Sequence, residues 1–378
     1  MLEEPHIFAL PDQRSLRWDP IAAIGLRERG CREVLSVSTA GRSELRNPSV
    51  VFPAPGEVDL RDAAIPEPGP GEVLLRTRRT LISTGTELTI LSGKFPAESA
   101  WGRYGRFPFL PGYSAAAEVL AVGPDVQTVA AGDVVAASTS HCRYAAAEAD
   151  SLIPAREAAG LLDYLPFTTL GQTVMNGVRR SGAGLGDEVV IFGLGILGQL
   201  AMRLCYLSGA RPVIGVDVAG PRLRAAPAGV AVIDAAREDV ASRVSELTGG
   251  RMADIVFEVT GDPELIPGEF AALKPSEGRF VVLSSPRGPT TIDFHDLVNS
   301  PSHTIIGAHT NSHPAAETAA SPWTRSRNGE LFIKLLAAGH IDLAPLVTHR
   351  LAYREAPAAY RMLASDRASA LGVVLNWD

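Results

Sequence analysis

Residues 187–217 read DEVVIFGLGILGQLAMRLCYLSGARPVIGVD, and the fold of the chain turns on how they are understood. The run 187–192 opens on two acids and continues apolar and rich in β-branched residues, which predicts a buried strand. Gly193, Gly195 and Gly198 follow it and open an apolar stretch, 198–208, whose length and spacing predict a helix. A second β-branched run, 211–216, leads into Asp217, 24 residues after Gly193. Strand, glycine-rich turn, helix, strand and terminal carboxylate in that order make a dinucleotide-binding unit. Gly193 permits the tight turn, Gly195 lets the backbone approach a pyrophosphate, and Gly198 allows the helix to pack closely; Ile196 and Leu197 lie between them at the helix start. The free N–H groups and positive dipole end of that helix would face the anion. A carboxylate at Asp217 accepts from ribose hydroxyls and repels a 2′-phosphate, so NAD is the expected cofactor and NADP the less favoured one. Arg222, a few residues on, tempers that preference.

Working outward, the same grammar continues downstream. Runs at 255–259 and 280–284 read as further strands of a parallel sheet, with Thr260 and Ser284 at their ends expected beside the cofactor, and 303–308 supplies a sixth strand. Upstream, 165–180 reads as a helix between two domains, carrying Thr169 near the cofactor and Gly171 and Gly177 along its length. Before it, from Ser49, short strand-like runs are punctuated by Pro66, Pro68 and Gly71, which reads as a β-rich domain. A helix over 330–338 and a run over 370–376 are expected to return the chain to that first domain. The expected division is an N-terminal extension over 1–44, with a short amphipathic helix near 19–29 and no assigned role, a β-rich catalytic domain over 45–160 and 309–378, and a dinucleotide-binding domain over 161–308.

Composition excludes several classes. The hydrophobic content of 46% with 20% charged residues is that of a globular protein. A net charge of -7 offers no basic footprint for a phosphate backbone, so no nucleic-acid partner is expected. The longest apolar stretch, near 189–202, is interrupted by glycines and falls short of a membrane span. The N-terminus has no basic start followed by an apolar run, and Cys31, Cys142 and Cys205 are too few and scattered for a disulfide framework. These features point to a cytoplasmic enzyme acting on a small molecule without a membrane partner.

Three stretches, PEPGPGEVLLRTRRTLISTGTELTILSG, FPFLPGYSAAAEVLAVGPDVQTVAAGDVV and VRRSGAGLGDEVVIFGLGILGQLA, lie in the order of the medium-chain dehydrogenase/reductase family, which the chain resembles from about residue 49 to its end. STGTELTILSG and FLPGYS look closest to the bacteriochlorophyllide a dehydrogenase-like branch, whose members oxidise a hydroxyethyl group to an acetyl group. The resemblance implies an α/β architecture: a GroES-like β-rich catalytic domain, a Rossmann domain with a doubly wound parallel sheet, and an active site between them. Zinc-dependent members place a cysteine before Gly-Ser/Thr-Asp, a His-Glu pair after Pro-Gly, and a cysteine or glutamate at the interdomain helix. Here those positions read Thr84 before Gly85-Thr86-Glu87, Tyr113-Ser114 after Pro111-Gly112, and Thr168 or Thr169. Neutral hydroxyls bind zinc poorly. The four-cysteine lobe expected between Asp133 and His141 is also missing, so neither catalytic nor structural zinc is expected.

Without a metal to polarise the substrate oxygen, hydrogen bonding and a proton carrier must replace it. Thr86 matches the family's proton-relay hydroxyl, or is a turn threonine bonding its own backbone. Tyr113 and Ser114 occupy the former ligand positions and could bind a substrate oxygen, with Tyr113 as an acid, or could simply fill the vacated volume. His141 is the nearest histidine with an ordinary pKa suited to a general base, though a lone histidine is more often structural. Glu87 reads as a supporting residue. Thr84, Trp101, Tyr104, His309 and Asn311 complete the expected substrate contacts, with His313, Trp323 and Arg325 nearby in sequence. The leading expectation is a zinc-independent dehydrogenase interconverting a secondary alcohol and a ketone on a polar or cyclic metabolite. The rivals are a reductase of an activated C=C or C=N bond, and a non-catalytic module that senses nicotinamide redox state. An edge strand at 303–308 needs a cover, which in this family a second copy supplies, so a homodimer is expected.

Overall fold

The computed structural model describes residues 46–378; the expected helix near 19–29, Cys31 and the extension they belong to lie outside these residues. The described chain starts with an antiparallel pair, β1 (Pro48–Val51) and β2 (Asp59–Asp62), followed by β3 (Glu72–Leu81). Two short helices, α1 (Thr86–Ser92) and α2 (Ala100–Tyr104), precede β4 (Ala115–Val122), β5 (Val134–Ala137), β6 (Tyr144–Glu148) and β7 (Ile153–Pro154). Along β3, Val73, Leu75, Thr77 and Thr80–Leu81 are buried between more exposed neighbours, the alternation of a strand with one face on a core.

The long helix α3 (Thr168–Ser181) then carries the chain into the second unit. Its strands are β8 (Val189–Phe192), β9 (Val213–Asp217), β10 (Ala231–Asp234), β11 (Ile255–Glu258), β12 (Arg279–Val282) and β13 (Thr304–Gly307), joined through helices α4 (Ile196–Leu207), α5 (Gly220–Arg224), α6 (Val240–Leu247) and α7 (Ile266–Glu269). All neighbours pair in parallel, in the order β10-β9-β8-β11-β12-β13. This is a doubly wound sheet, and its switch point lies between β8 and β11. Successive residues serve opposite faces. Val189, Ile191, Ile255, Phe257 and Val281 pack with α3 and α4, while Val190, Ile214, Val256 and Phe280 pack on the far side. Residues 231–234, not anticipated from the sequence, complete the edge beside β9.

After β13 come α8 (Arg325–Ala337), β14 (Val347–Ala352), α9 (Ala356–Ser365) and β15 (Gly372–Asn376). Helix α8 begins upstream of the expected start because the Thr324 hydroxyl accepts from the Arg327 N–H and caps it. Strand β15 pairs antiparallel with β3, and β14 lies outside it, so the chain end completes the first sheet in the order β14-β15-β3-β4-β5-β7. Trp377 is buried, stacks on Tyr353 and donates from Nε1 to Thr80 Oγ1 at 3.0 Å, which pins this return. Among the described residues no helix is long and apolar enough to cross a membrane.

One apolar core runs through α3 from the first unit to the second. At its centre the ring of Phe332 on α8 lies flat against Gly171, where a Cβ would stand 2.4 Å from Cδ2 of Phe332. Glycine is required at 171 by this close approach. Phe332→Ala is expected to lower unfolding free energy by about 3–5 kcal/mol, read from urea denaturation.

Candidate active site

A cavity of about 660 Å³ lies between the two units, lined by α1, α2, α3, the glycine turn and the ends of β11, β12 and β13. That volume is in the range of small-molecule sites. On the second unit, Gly193 has φ +89, and a Cβ there would stand 2.9 Å from the Thr260 backbone nitrogen. A Cβ at Gly198 would stand 1.9 Å from the Gly193 carbonyl oxygen, whereas one at Gly195 would meet nothing within 4 Å. Thus Gly193 is demanded by its φ and by the backbone at the end of β11, Gly198 by the turn itself, and Gly195 keeps open the space in front of α4. Gly195, Ile196 and Leu197 face the cavity.

Asp217 is buried behind this turn. Its Oδ2 accepts from Leu194 N at 2.7 Å and its Oδ1 from Val218 N and Ala219 N, each at 2.8 Å. Arg222 Nη1 lies 3.6 Å from the same carboxylate, and its Nη2 donates to the Arg367 carbonyl at 2.9 Å. Arg222 therefore ties β9 to the loop before β15, and neither it nor Asp217 lies on the cavity wall. Thr260 and Ser284 do. Both hydroxyls donate to Glu258, Thr260 at 2.7 Å, and Gly261 N donates to the same carboxylate at 2.8 Å. Glu258, wholly buried at the end of β11, was not anticipated; the acid closing an apolar strand was its one signal.

On the first unit, hydroxyls from two separate segments meet. Tyr113 Oη donates to Ser83 Oγ and lies 3.1 Å from Thr86 Oγ1. Burial pushes the Tyr113 phenol up to about 12, partly offset by those two hydroxyls, so it stays protonated at neutral pH. Ser83, Thr84, Thr86, Tyr113 and Thr169 all line the cavity. Ser83 was not anticipated, because nothing in its local pattern separates it from other turn serines. Opposite, Trp101 and Tyr104 form part of the wall, and Trp101 Nε1 donates across the cleft to the Pro286 carbonyl at 3.4 Å.

Besides Asp217 and Arg222, expected beside the cofactor but set behind the cavity wall, the structure corrects three expectations. His141 is fully buried and off the cavity wall, with Nε2 3.1 Å from Glu87 Oε2. Sealed beneath the site, it cannot reach a substrate as a base. Its partner Glu87 accepts from Ser83 N at 3.0 Å and from Tyr360 Oη, which is the supporting position expected for this residue. Ser114 is also fully buried and does not reach the cavity, since alternation along the chain turns it away from Tyr113. Asn311 is off the wall too; its backbone N–H supports His309, which does line the cavity. Trp323 lies between the Arg179 and Arg327 guanidiniums, at 3.3 and 4.3 Å from its ring centre, in a packing role.

Among the described residues, the charged side chains of the wall are Arg287, Arg325 and Arg367, with no carboxylate. Burial brings the Arg367 guanidinium down to about 10, and Arg222 and Arg287 beside it add to the shift, against the smaller pull of Asp217. Arg367 comes from the loop before β15, so sequence distance concealed it.

Two family profiles match the chain: the alcohol dehydrogenase GroES-like domain over residues 69–190 and the zinc-binding dehydrogenase over 197–325. The L-threonine 3-dehydrogenase of Pyrococcus horikoshii is 30% identical over 64% of this chain and 75% of its own. That of Bacillus subtilis is also 30% identical, but the match spans only 49% of it and 48% of this chain. The 2-desacetyl-2-hydroxyethyl bacteriochlorophyllide A dehydrogenase of Cereibacter sphaeroides is 27% identical over 78% of this chain and 87% of its own. Among solved structures, a putative zinc-binding dehydrogenase from Sinorhizobium meliloti bound to NADP superposes with a TM-score of 0.73 at 20% identity, covering 88% of this chain and 99% of that one. The chain belongs to the medium-chain dehydrogenase/reductase superfamily of NAD(P)-dependent oxidoreductases. The residues present do not fit the zinc ion that gives one of these profiles its name. Thr84, Tyr113, Ser114, Thr168 and Thr169 supply only hydroxyls, and Tyr113 fills the space by bonding Ser83 and Thr86.

Gly195→Ala should leave the melting temperature of the free protein unchanged and weaken NADH binding about tenfold by fluorescence titration, a change of about 1.4 kcal/mol. Gly198→Ala, by contrast, should destabilise the free protein by about 1–3 kcal/mol, because its methyl meets backbone.

Proposed function

We propose that the chain is a zinc-independent, NAD-preferring dehydrogenase that interconverts a secondary alcohol and a ketone on a polar or cyclic metabolite. The observation that carries this is the joining of Tyr113, Ser83 and Thr86 hydroxyls on the wall of a cavity that the N-terminus of α4 also faces. NAD, when bound, supplies the hydride acceptor. The open space before Gly195 admits a pyrophosphate to the free N–H groups of α4, and Arg367 and Arg287 meet its charge. Glu258 holds the Thr260 and Ser284 hydroxyls in one orientation at the strand ends, where the nicotinamide half of a dinucleotide lies in this topology. The Asp217 carboxylate at the end of β9 supports NAD over NADP by repelling a 2′-phosphate, and Arg222 beside it is paired with that carboxylate and with the Arg367 carbonyl.

The proton chemistry belongs to the hydroxyl cluster. In ketone reduction Tyr113, protonated and fixed by two neighbours, donates its proton to the substrate oxygen and is reprotonated from solvent through Ser83 and Thr86; in alcohol oxidation the same proton transfers run in reverse, each group passing on its own proton as it receives one. Hydroxyl donors oriented in a closed cavity stabilise a developing alkoxide without rearrangement. Trp101 and Tyr104 close the substrate side.

Incubation with NAD and a panel of polyols, sugars and cyclitols should produce NADH from at least one member; silence across the panel would sink the alcohol dehydrogenase reading. Tyr113→Phe should lower kcat on that substrate by about 10²-fold or more with little change in NADH affinity. Chelation should leave the rate unaltered, and metal analysis should find no stoichiometric zinc.

We further propose a homodimer through β13. This strand lies at the edge of the sheet and carries exposed Thr304, Ile305 and Gly307, so a ladder edge and an apolar side chain coincide. Light scattering should give twice the chain mass, and Ile305→Lys should shift it to the monomer.

A further inference from the structure

The segment 309–313 carries two histidines whose protonation sites are decided by backbone groups with only one role each. Asn311 N–H donates to His309 Nδ1 at 3.2 Å. A backbone N–H can only donate, so Nδ1 must present its lone pair, and the single proton of the neutral ring sits on Nε2. His313 Nδ1 lies 2.7 Å from the Thr310 carbonyl oxygen, which can only accept, so that ring carries its proton on Nδ1. One short turn, Thr310–Ser312, thus sets the two rings in opposite tautomers.

The turn is held firmly. Asn176 Nδ2 on α3 donates to Ser312 Oγ at 2.7 Å and to the His309 carbonyl at 3.3 Å. His309 faces the cavity, whereas His313 is off its wall. Among the described residues no acceptor takes the Nε2 proton of His309. Several other uncharged donors on the wall give their protons to protein oxygens: Thr89 to Gly85, Thr173 to Thr169, Thr260 and Ser284 to Glu258, Tyr113 to Ser83, and Trp101 to Pro286.

We propose that His309, locked as the Nε2–H tautomer by the Asn311 N–H, is a fixed, uncharged hydrogen-bond donor to an oxygen of the substrate. The inference rests on the dehydrogenase reading above and adds a donor to it. His309 follows β13, on the half of the doubly wound sheet that takes the nicotinamide end of a dinucleotide. A second positive charge there would oppose an oxidised nicotinamide ring, and a neutral imidazole avoids it. Burial holds His309 below the ordinary imidazole value, in keeping with a neutral ring. A neutral imidazole N–H can polarise a carbonyl or steady a developing alkoxide while its proton stays in place.

Two measurements test this on the full chain. Long-range ¹⁵N–¹H NMR of the labelled protein at pH 7, with His309 assigned through His309→Gln, should give an unprotonated Nδ1 and a protonated Nε2. The reverse tautomer, or a doubly protonated ring, overturns the proposal whatever the panel of alcohols yields. In kinetics with NAD and the alcohol found in that panel, His309→Gln places an amide N–H where Nε2–H stood and should keep kcat/KM within about tenfold. His309→Asn and His309→Ala should lose about 10²-fold, with NADH affinity unchanged within about twofold. Equal losses in the glutamine and alanine variants would overturn the donor role and leave the dehydrogenase reading standing.

Discussion

Glu87 is a carboxylate at 1% exposure, and the geometry of the first unit depends on how it is satisfied. A buried charge left without partners costs several kcal/mol, so the segments that supply its donors are held to it. Ser83 N, Tyr360 Oη on α9 and His141 Nε2 from the loop after β5 all converge on its two oxygens. Burial first, and then Glu87 itself, drives the Tyr360 phenol well above its ordinary pKa, so its proton stays in this bond. The consequence for chemistry is positional. With the Ser83 backbone fixed from below, its hydroxyl meets Tyr113 at the cavity wall, and Thr86 stands beside them at the start of α1.

A second buried carboxylate plays the matching part on the other unit. Glu258 gathers two hydroxyls and a backbone N–H at the ends of β11 and β12, as Asp217 gathers three N–H groups at the end of β9. Both units thus spend acidic groups on orientation behind the wall, and the wall itself carries hydroxyls, aromatic rings and arginines. The units are also tied by hydrogen bonds from Trp101 to Pro286, Arg222 to Arg367 and Arg203 to Asp342. A cavity so framed is suited to holding a doubly charged dinucleotide and one further molecule in fixed relation, where effective concentration supplies much of the rate.

The absence of thiolate, imidazole and carboxylate at positions 84, 113, 114, 168 and 169 changes what the site can do rather than whether it can act. Hydroxyl donors lower the energy of an alkoxide less than a divalent ion does, which puts weight on desolvation and on each oriented N–H or O–H. The donors on this wall are mostly committed to the protein itself. In the dehydrogenase reading proposed above, that commitment puts weight on the Tyr113 hydroxyl cluster and on the Nε2 proton of His309.

The second unit was legible in the sequence because its determinants are local. Alternating β-branched runs define strands within a few residues, and the positive φ of Gly193 and the close approach of Gly198 to the Gly193 carbonyl arise inside a single turn. The rewritten ligand positions could likewise be read directly, since donor chemistry belongs to the residue type. What only the tertiary structure decided were relations between distant segments. It buried His141 and Ser114, brought Arg367 from the far end of the chain to the cofactor cleft, and joined Ser83 to Tyr113. It also started α8 earlier than apolar spacing indicated, through a threonine cap. Periodicity reports which face of an element is buried, but not which neighbour buries it. The partner of a polar side chain is set by packing between elements, so the identity of the fold was written locally and the wiring of the site was not.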